Sequence, residues 1–435
     1  MKRTLIKDLP AAVGQHVQIC GWIDSIRLLK KIAFVIVRDH SGLVQVTVSK
    51  DETPDLFSTI SDVTKESALK ITGILNHNTS VKMGGMEVIP DSINIVSLSE
   101  PQLPITKASE PSAKLDWRYL DLRTQENFLV FSVQTTAEQA MREFWKQNSF
   151  LEIHSPKLMG SPSESGAELF EMEYFGTKAY LAQSPQFYKQ MAMAAGFDRI
   201  FEIGPVFRAN PSFTSRHDTE FTSVDVELSW IDSHYDVMEI EERWLHHILS
   251  KVNEVHGEEI EKYFNTEIVV PALPFPKIEM SEAYSILSKM GHEIPAEYKG
   301  DLDPEGEKKL CSYVKETYGH EFVFITDYPI SVRPFYHMRH EDNPLITKSF
   351  DLLWKGLEVT TGAQREHRYE KLKAQAVEKG LSVESVNFYL DFFRFGMPTH
   401  GGYGFGLTRM LMIMLGLNNV RQVTYLYRGP KRLTP

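Results

Sequence analysis

The chain has 435 residues, of which 42% are hydrophobic and 24% are charged. A chain of this length exceeds one ordinary hydrophobic core, so we expect two or three domains. The composition is typical of a globular protein and excludes a largely disordered one. The net charge of −11 is the wrong sign for a simple nucleic-acid binder. No apolar run approaches the roughly 20 residues that a membrane span needs, so we expect no membrane partner.

The cysteine content and the first residues bear on location. Only two cysteines occur, Cys20 and Cys311, and they are far apart in the chain. This excludes a disulfide framework and a zinc site built from cysteines, and it suits a reducing compartment. Residues 1–12 lack the apolar core of a signal peptide. We therefore expect a cytoplasmic protein.

The first hundred residues are predicted to form a small β-barrel. Five short segments are rich in β-branched residues, and residues 40–42 supply a turn between the second and the third. With a helical segment at 54–63, this pattern is typical of an OB-fold, although an SH3-like barrel or a small sandwich would look similar. Residues 1–105, the predicted domain, carry eleven basic and eleven acidic residues, which leaves nucleic-acid binding open. The predicted strands are 17–23, 32–38, 43–48, 69–75 and 86–95.

A second domain is predicted to follow a linker. Residues 98–115 have the proline- and serine-rich composition of a linker, and we place the linker itself at 106–125. From 126 to 435, long helical segments and strand runs occur without regular βαβ alternation. This predicts an α+β domain with a mainly antiparallel sheet. The predicted helices are 128–147, 186–195, 235–256 and 409–415, and the predicted strands are 150–153, 199–207, 222–230, 349–354, 357–360 and 402–407.

Two clusters in the second domain have residue types that suit chemistry. Glycines alternate through 401–406, and Arg409 follows at the start of a helix. Because alternating glycines in a strand indicate close backbone approach, a tight crossing of strand and helix explains them as well as a ligand site does. In the other cluster, a polar loop joins Arg208 to Arg216 and the residues after it. Two arginines that flank a loop can clamp phosphate, whereas the simpler interpretation is a solvated hairpin tip.

These segments, taken in order, resemble the class II aminoacyl-tRNA synthetases and, more closely, aspartyl-tRNA synthetases of the short archaeal type. The resemblance covers nearly the whole chain. It implies an N-terminal OB-fold that grips the anticodon, and a class II catalytic domain built on an antiparallel sheet flanked by helices. The matching segments are 150–156 for motif 1, Arg208 with 216–221 for motif 2, 404–409 for motif 3, and 183–190, 361–368 and 428–435 for the aspartyl enzymes.

The resemblance implies a reaction and an ATP site. L-Aspartate and ATP would form aspartyl-adenylate, and the aspartyl group would then move to the 3′ end of tRNA-Asp. The transition state at the α-phosphate needs fixed cations, whereas no general base is needed because the substrate carboxylate is the nucleophile. Arg208 and Arg409 would be the catalytic residues, on the α- and γ-phosphates, and Phe221 would stack on adenine. The other implied ATP-binding residues are Arg216, His217, Glu358 and Gly406.

The resemblance also implies a bound magnesium ion. Magnesium prefers hard oxygen ligands, and the family pattern assigns it to Glu358 and Thr361, with Asp351 nearby.

For the amino acid, Arg365 and Lys189 match the positions that hold the side-chain carboxylate of aspartate. Asp225 matches the acidic residue that completes this network. Because asparagine enzymes typically lack this lysine and aspartate pairing, aspartate is favoured. The remaining implied aspartate-binding residues are Gln186, Thr361 and, in a loop that closes over the substrate, Glu164.

The same resemblance implies the partners. Phe34 would stack on an anticodon base, although alone it would pass for a core aromatic, and Arg27 and Gln45 would read base edges. Asp24 stands where relatives restricted to tRNA-Asp can carry tryptophan, which leans towards additional charging of tRNA-Asn. Motif 1 packs across a two-fold axis in this family, with Pro156 at the interface, so a homodimer is expected.

Four positions depart from the family pattern. Asn210 and Thr408 replace acidic residues of motifs 2 and 3, Gly429 replaces an aspartate, and Ser165 replaces a glycine in the closing loop. Two alternatives follow: a divergent copy that adenylates aspartate for a non-translational or inhibitor-resistance role, and a non-catalytic RNA-binding homologue. The second alternative is disfavoured because a binding module has no need for the full set of retained charged residues, which are Arg208, Arg409, Glu358, Arg365 and Lys189.

Overall fold

The computed structural model describes residues 2–161, 168–211 and 214–435. Contacts between residues divide the chain into two compact units, Met1–Phe128 and Leu129–Pro435. The predicted division at 105 and 125, with a linker between, stays a prediction. Within the described ranges, no helix is both long enough and apolar enough to cross a membrane.

The first unit contains a closed barrel with the strand order β1-β2-β3-β5-β4. Neighbouring strands are antiparallel except β3 and β5, which are parallel. Along the second strand, Ala33, Val35 and Val37 are fully buried and alternate with half-buried residues, as a barrel wall requires. The predicted barrel is therefore confirmed. The strands are β1 (His16–Leu28), β2 (Ile32–Asp39), β3 (Gly42–Ser49), β4 (Ala68–His77) and β5 (Met86–Ser97), with α1 (Pro54–Ser61) between β3 and β4 and with α2 (Pro111–Asp116) and α3 (Arg118–Asp121) after the barrel.

The second unit is built on an eight-stranded sheet with the order β12-β13-β14-β15-β16-β11-β10-β6. The two pairs at the edges, β12 with β13 and β10 with β6, are parallel, and the other neighbours are antiparallel. The predicted mainly antiparallel sheet is thus confirmed. Its strands are β6 (Leu151–Glu152), β10 (Arg199–Phe207), β11 (Glu220–Ser229), β12 (Lys277–Glu279), β13 (Phe322–Thr326), β14 (Ser349–Trp354), β15 (Leu357–Gln364) and β16 (His400–Gly406), and a separate small sheet contains β7 (Leu158–Met159), β8 (Glu171–Tyr174) and β9 (Thr177–Leu181).

Helices α4 and α6 pack against this sheet through aromatic side chains. Trp145 stacks on Trp244 with ring centroids 5.1 Å apart, and Trp244 meets the edge of Phe405 at 5.0 Å. Because neighbouring residues of a strand point to opposite faces, the glycines beside Phe405 face away from these helices. The helices are α4 (Gln125–Gln147), α5 (Gln186–Ala194), α6 (His234–Phe264), α7 (Met280–Lys289), α8 (Pro304–Tyr318), α9 (Tyr369–Glu378), α10 (Val383–Leu390), α11 (Leu407–Met414) and α12 (Val420–Val423).

Helix α6 is longer than the sequence predicted. The sequence predicts an end at residue 256, just before Gly257, because a glycine inside a helix costs about 1 kcal/mol. The helix nevertheless continues to Phe264 and ends at Asn265, whose φ of +51° is a left-handed cap. Ile260, fully buried in the core, stabilises the added turns. Tertiary packing thus outweighs the local preference.

Candidate active site

A cavity of about 360 Å³ lies on the glycine face of strand β16. The residues that line it come from separate parts of the second unit, and they include nearly all predicted ATP- and aspartate-binding residues. Glu164, and Ser165 beside it, lie outside the described residues. The predicted residues in the lining are Gln186, Lys189, Arg208, Arg216, His217, Phe221, Asp225, Glu358, Thr361, Arg365, Gly406 and Arg409, together with the two departures Asn210 and Thr408.

The floor of the cavity holds a buried charge network around Lys189. Its ammonium group donates to Asp225 Oδ1 at 3.1 Å and to the carbonyl oxygen of Tyr403 at 3.1 Å. It also lies 3.4 Å from Glu227 Oε2. Ser223 donates its hydroxyl to the other oxygen of Asp225 at 2.6 Å. Lys189 is 1% exposed, so its charge depends on these carboxylates rather than on water.

Arg365 is the second cation of this network, and its main partner was missed at the sequence level. Its Nε and Nη2 donate to the two oxygens of Glu227 at 3.0 and 3.3 Å, a bidentate pair. Nη2 also donates to the carbonyl of Gly402 at 2.9 Å, and Nη1 donates to His337 Nε2 at 3.1 Å. Glu227 could have been found, because it lies two residues after Asp225 and therefore on the same face of β11.

Burial and the charges of the network shift the pKa values of its members. Burial alone would raise the pKa of Glu227, but the charges of Arg365 and Lys189 outweigh burial and hold that pKa below its ordinary value. Burial, reinforced by Arg365, holds the pKa of His337 well below its ordinary value. Burial likewise lowers the pKa of His400 to about 4. At neutral pH Glu227 is therefore ionised, and His337 and His400 are neutral.

The glycines of β16 serve both interpretations that the sequence left open. A Cβ on Gly402 would lie 2.0 Å from the carbonyl oxygen of Val226 and 2.3 Å from Glu227 Oε2. At this position the close approach is to strand β11, whereas a Cβ on Gly401 would lie 3.0 Å from the Val237 side chain of helix α6, the crossing of strand and helix in the simpler interpretation. Gly404 and Gly406, in contrast, line the cavity itself. The segment is therefore a crossing point at one end and a cavity wall at the other.

Three further predicted arginines, Arg208, Arg216 and Arg409, also line the cavity. The Arg208 guanidinium lies 5.4 Å from the centre of the Phe221 ring. Arg409, on α11, donates to the carbonyl of Glu358 at 2.8 Å and lies 3.6 Å from its carboxylate. Arg216 lies 3.7 Å from Glu307. Arg208 and Arg409 thus reach one cavity from β10 and α11, two elements about two hundred residues apart in the chain.

The C-terminal segment holds the loop that carries Arg216 and His217. Val420 N donates to the carbonyl of Ser215 at 2.9 Å, and the Tyr427 hydroxyl donates to the carbonyl of His217 at 3.3 Å. Thr219 N donates to the carbonyl of Arg428 at 3.1 Å. These contacts give residues 420–428 a structural role beside the cavity. Burial, followed by the charge of Arg409, lowers the pKa of His217 below its ordinary value.

Two acids beside the cavity were missed at the sequence level. Burial raises the pKa of Asp218 to about 7 and that of Glu307 to about 8. Nearby charges add to this for Glu307, because Glu358 raises its pKa, while Arg216 and Arg409 partly offset the rise. Asp218 sits inside the recognised 216–221 segment, whereas nothing local to Glu307, on α8, signals its position. Both acids lie among the arginines expected to receive phosphate.

The oxygen donors predicted for magnesium also lie together. Thr361 donates its hydroxyl to Glu358 Oε1 at 3.2 Å, and Asp351 faces Thr361 across the β14–β15 pair. One oxygen of Asp351 accepts from Arg333 at 2.6 Å, and the other has no hydrogen-bond partner in the described ranges. Burial, and then the charge of Asp351, raises the pKa of Glu358 above its ordinary value. A hard cation would relieve this repulsion, so the donor set fits Mg²⁺.

The predicted anticodon residues share the outer face of the barrel. Arg27, Phe34 and Thr47 are paired across β1, β2 and β3, and Phe34 is half-buried between the core residues of β2. The core interpretation of Phe34 is therefore wrong. Gln45 donates to Thr47 at 3.1 Å and to Glu87 at 3.2 Å, which adds an acid that the sequence reasoning missed.

Comparison with known proteins shows which family has this arrangement of domains and residues. Residues 110–428 match the family model of the class II tRNA synthetases for D, K and N, and residues 17–96 match the OB-fold nucleic acid binding domain. The chain belongs to the class II tRNA synthetases. The match covers both the cavity and the segments that form it.

Individual members of this family are similar to the chain over nearly its full length. The chain is 41% identical to the aspartate–tRNA(Asp) ligase of Pyrococcus abyssi, with 97% of each chain covered. It is 43% identical to the aspartate–tRNA(Asp/Asn) ligase of Methanopyrus kandleri, covering 98% of this chain and 97% of that one.

Solved synthetase structures share the fold. The asparaginyl-tRNA synthetase of Pyrococcus horikoshii with asparaginyl-adenylate superposes with a TM-score of 0.91 at 29% identity, covering 100% of both chains. The aspartyl-tRNA synthetase of Entamoeba histolytica has a TM-score of 0.88 at 32% identity, covering 100% of this chain and 93% of that one. The fold is thus common to aspartate and asparagine enzymes, so the choice between them depends on the residues of the site.

Proposed function

We propose that the protein is an aspartate–tRNA ligase, which forms aspartyl-adenylate and diphosphate from L-aspartate and ATP and then transfers the aspartyl group to tRNA-Asp with release of AMP. The observation that carries this proposal is the buried network of Lys189, Arg365, Asp225 and Glu227 at the floor of the cavity. Arg365 and Lys189 supply the cationic surroundings that a substrate carboxylate needs and an amide does not. The full-length similarity to aspartate–tRNA ligases supports the same choice.

In the first step, a carboxylate oxygen of aspartate attacks the α-phosphorus of ATP, and the bond to the bridging oxygen breaks to release diphosphate. Arg208 is proposed to bind the α-phosphate and Arg409 the γ-phosphate, so that negative charge developing at phosphorus meets fixed cations. Arg216 and His217 would hold the rest of the triphosphate. Phe221, beneath Arg208, would stack on adenine.

Magnesium, when bound, would neutralise phosphate charge beside the site of attack. Glu358 and Thr361 are the proposed ligands, with Asp351 behind them. Mg²⁺ commonly takes one or two carboxylates and completes its shell with water and substrate phosphates. The two donors 3.2 Å apart suit that arrangement.

For the amino acid, Lys189, Arg365 and Asp225 are proposed to recognise the aspartate side chain. Gln186, which is buried, is proposed to receive the ammonium group of the substrate. Thr361 and Glu164 are proposed to complete this part of the site.

For the tRNA, Phe34, Arg27 and Gln45 are proposed to contact the anticodon. Charging of tRNA-Asn in addition to tRNA-Asp is proposed for two reasons. Asp24 pairs with Arg38 at 3.1 Å on the barrel, and one relative is named for both tRNAs.

A homodimer through Pro156 and a cytoplasmic location are proposed as well. The two free cysteines suit the latter.

The deciding experiment is ATP–diphosphate exchange with each amino acid, followed by aminoacylation of tRNA-Asp and tRNA-Asn transcripts. Exchange should require aspartate and not asparagine, and aspartate should reach tRNA-Asp. Exchange without any aminoacylation would favour the divergent copy that only adenylates aspartate, an alternative that the similar ligases do not support. Absence of exchange would favour the non-catalytic homologue. Sedimentation of an active monomer at micromolar concentration would contradict the dimer.

A further inference from the structure

The hydrogen bonds of Lys189 and Arg365 are nearly saturated. The three N–H groups of Lys189 face Asp225, Glu227 and the carbonyl of Tyr403. Arg365 has five N–H groups, and four of them donate within 3.3 Å to Glu227, Gly402 and His337, as described above. Within the ranges described by the structure, one N–H of Arg365, on Nη1, is left for a ligand.

His337 helps to fix the direction of that remaining N–H, together with the bonds from Nε and Nη2 to Glu227 and Gly402. Both hydrogens of Nη1 lie in the guanidinium plane, so an acceptor that holds one of them also orients the other. His337 Nε2 is this acceptor, at 3.1 Å. Both Arg365 and His337 line the cavity that holds the predicted aspartate-binding residues.

The position of the imidazole is itself fixed. His337 is 2% exposed, and its backbone forms a bridge with that of Arg365. Gln375, on α9, donates to the carbonyl of His337 at 3.1 Å. Burial and the neighbouring cations hold the pKa of His337 well below its ordinary value, which keeps Nε2 available as an acceptor. The proton must then be on Nδ1, which has no acceptor in the described ranges. That is an unfavourable arrangement for a residue retained for packing alone.

We propose that His337 is a positioning residue for amino-acid recognition, holding one Nη1 hydrogen of Arg365 so that the other points at the side-chain carboxylate of aspartate. This inference rests on the proposed function. It adds a residue that acts on substrate affinity through Arg365, without contacting ATP or the reacting phosphate.

The test compares variants by aspartate-dependent ATP–diphosphate exchange, with KM measured separately for aspartate and ATP. His337→Gln places an amide oxygen at about the depth of Nε2, so KM for aspartate should stay close to that of the wild type. His337→Leu has no acceptor, and His337→Asn is polar but too short. Each should raise KM for aspartate about tenfold, the scale of one hydrogen bond to a charged group, with little change for ATP. His337→Asn keeps the test open if the leucine variant does not fold.

His292→Leu is the matched control. It removes a histidine hydrogen bond of 2.8 Å, to Asp303, away from the cavity, and KM for aspartate should not change. The inference is overturned if the leucine and asparagine variants keep the wild-type KM for aspartate, if KM for ATP rises equally, or if glutamine behaves like leucine. Absence of aspartate-dependent exchange in the wild type would overturn the proposed function together with this inference, so the two failures are distinguishable.

Discussion

Glu241 offers a stability test of the electrostatics behind the cavity. It lies on α6, is fully buried, and accepts a hydrogen bond from Thr360, the neighbour of Thr361 on β15. Its second oxygen has no hydrogen-bond partner in the described part of the chain. Burial raises the pKa of Glu241 to about 8 against the Thr360 hydrogen bond, with a further rise from the charge of Asp351. The perturbation is Glu241→Gln, which keeps the shape and removes the titration.

The sign follows from the direction of the shift. A carboxyl group whose pKa is higher in the folded state binds its proton more tightly there, so its contribution to stability falls as pH rises from the unfolded pKa to the folded one. With an ordinary pKa of 4.5 and a folded value of about 8, the cost is about 2 kcal/mol at pH 6 and about 5 kcal/mol at pH 9. The advantage of Glu241→Gln over the wild type should therefore grow by about 3 kcal/mol across this interval.

The assay is urea unfolding followed by tryptophan fluorescence, since Trp145 and Trp244 lie in the same core. Free energies of unfolding are compared at several pH values for the wild type, Glu241→Gln and the control Glu258→Gln. Glu258 is an exposed residue of the same helix, so its substitution should give a difference that does not depend on pH. A pH-independent difference for Glu241→Gln would refute the reasoning, because the carboxyl would then titrate alike in both states.

Three further predictions concern the cavity. Lys189→Met leaves two buried carboxylates with one cation, and the excess negative charge should repel the substrate carboxylate and raise KM for aspartate in the exchange assay about 100-fold, with little effect on ATP. Equal effects on both substrates would contradict the assignment. Gly402→Ala pushes a methyl group against the carbonyl of Val226 and should destabilise the protein by about 1–3 kcal/mol in calorimetry; an unchanged melting temperature would show that the strands yield. The double variant Asn210→Glu, Thr408→Glu should bind a non-hydrolysable aspartyl-adenylate analogue more tightly by about 1–2 kcal/mol in calorimetry, and unchanged binding would mark both departures as neutral.

Local pattern was sufficient for most of the architecture. The five barrel strands and the principal strands of the second sheet follow from β-branched runs and turn residues, because period-two alternation is a local property. The residues around the cavity were also predictable one by one, since Lys189, Arg208, Arg365 and Arg409 stand in recognisable motifs. Strand alternation also places Glu227 on the same face of β11 as Asp225, so Glu227 is predictable from the sequence as well.

The pairings inside the cavity depended on the tertiary structure. His337 and Arg365 are 28 residues apart, and only the backbone bridge between their segments brings the imidazole to the guanidinium. Glu307 reaches the arginines from α8, and Glu241 reaches Thr360 of β15 from α6, 119 residues away in the chain. Which charges neutralise one another, and which carboxyls stay protonated, depends on distance and burial. Both are set by long-range packing, so no window of the sequence contains them.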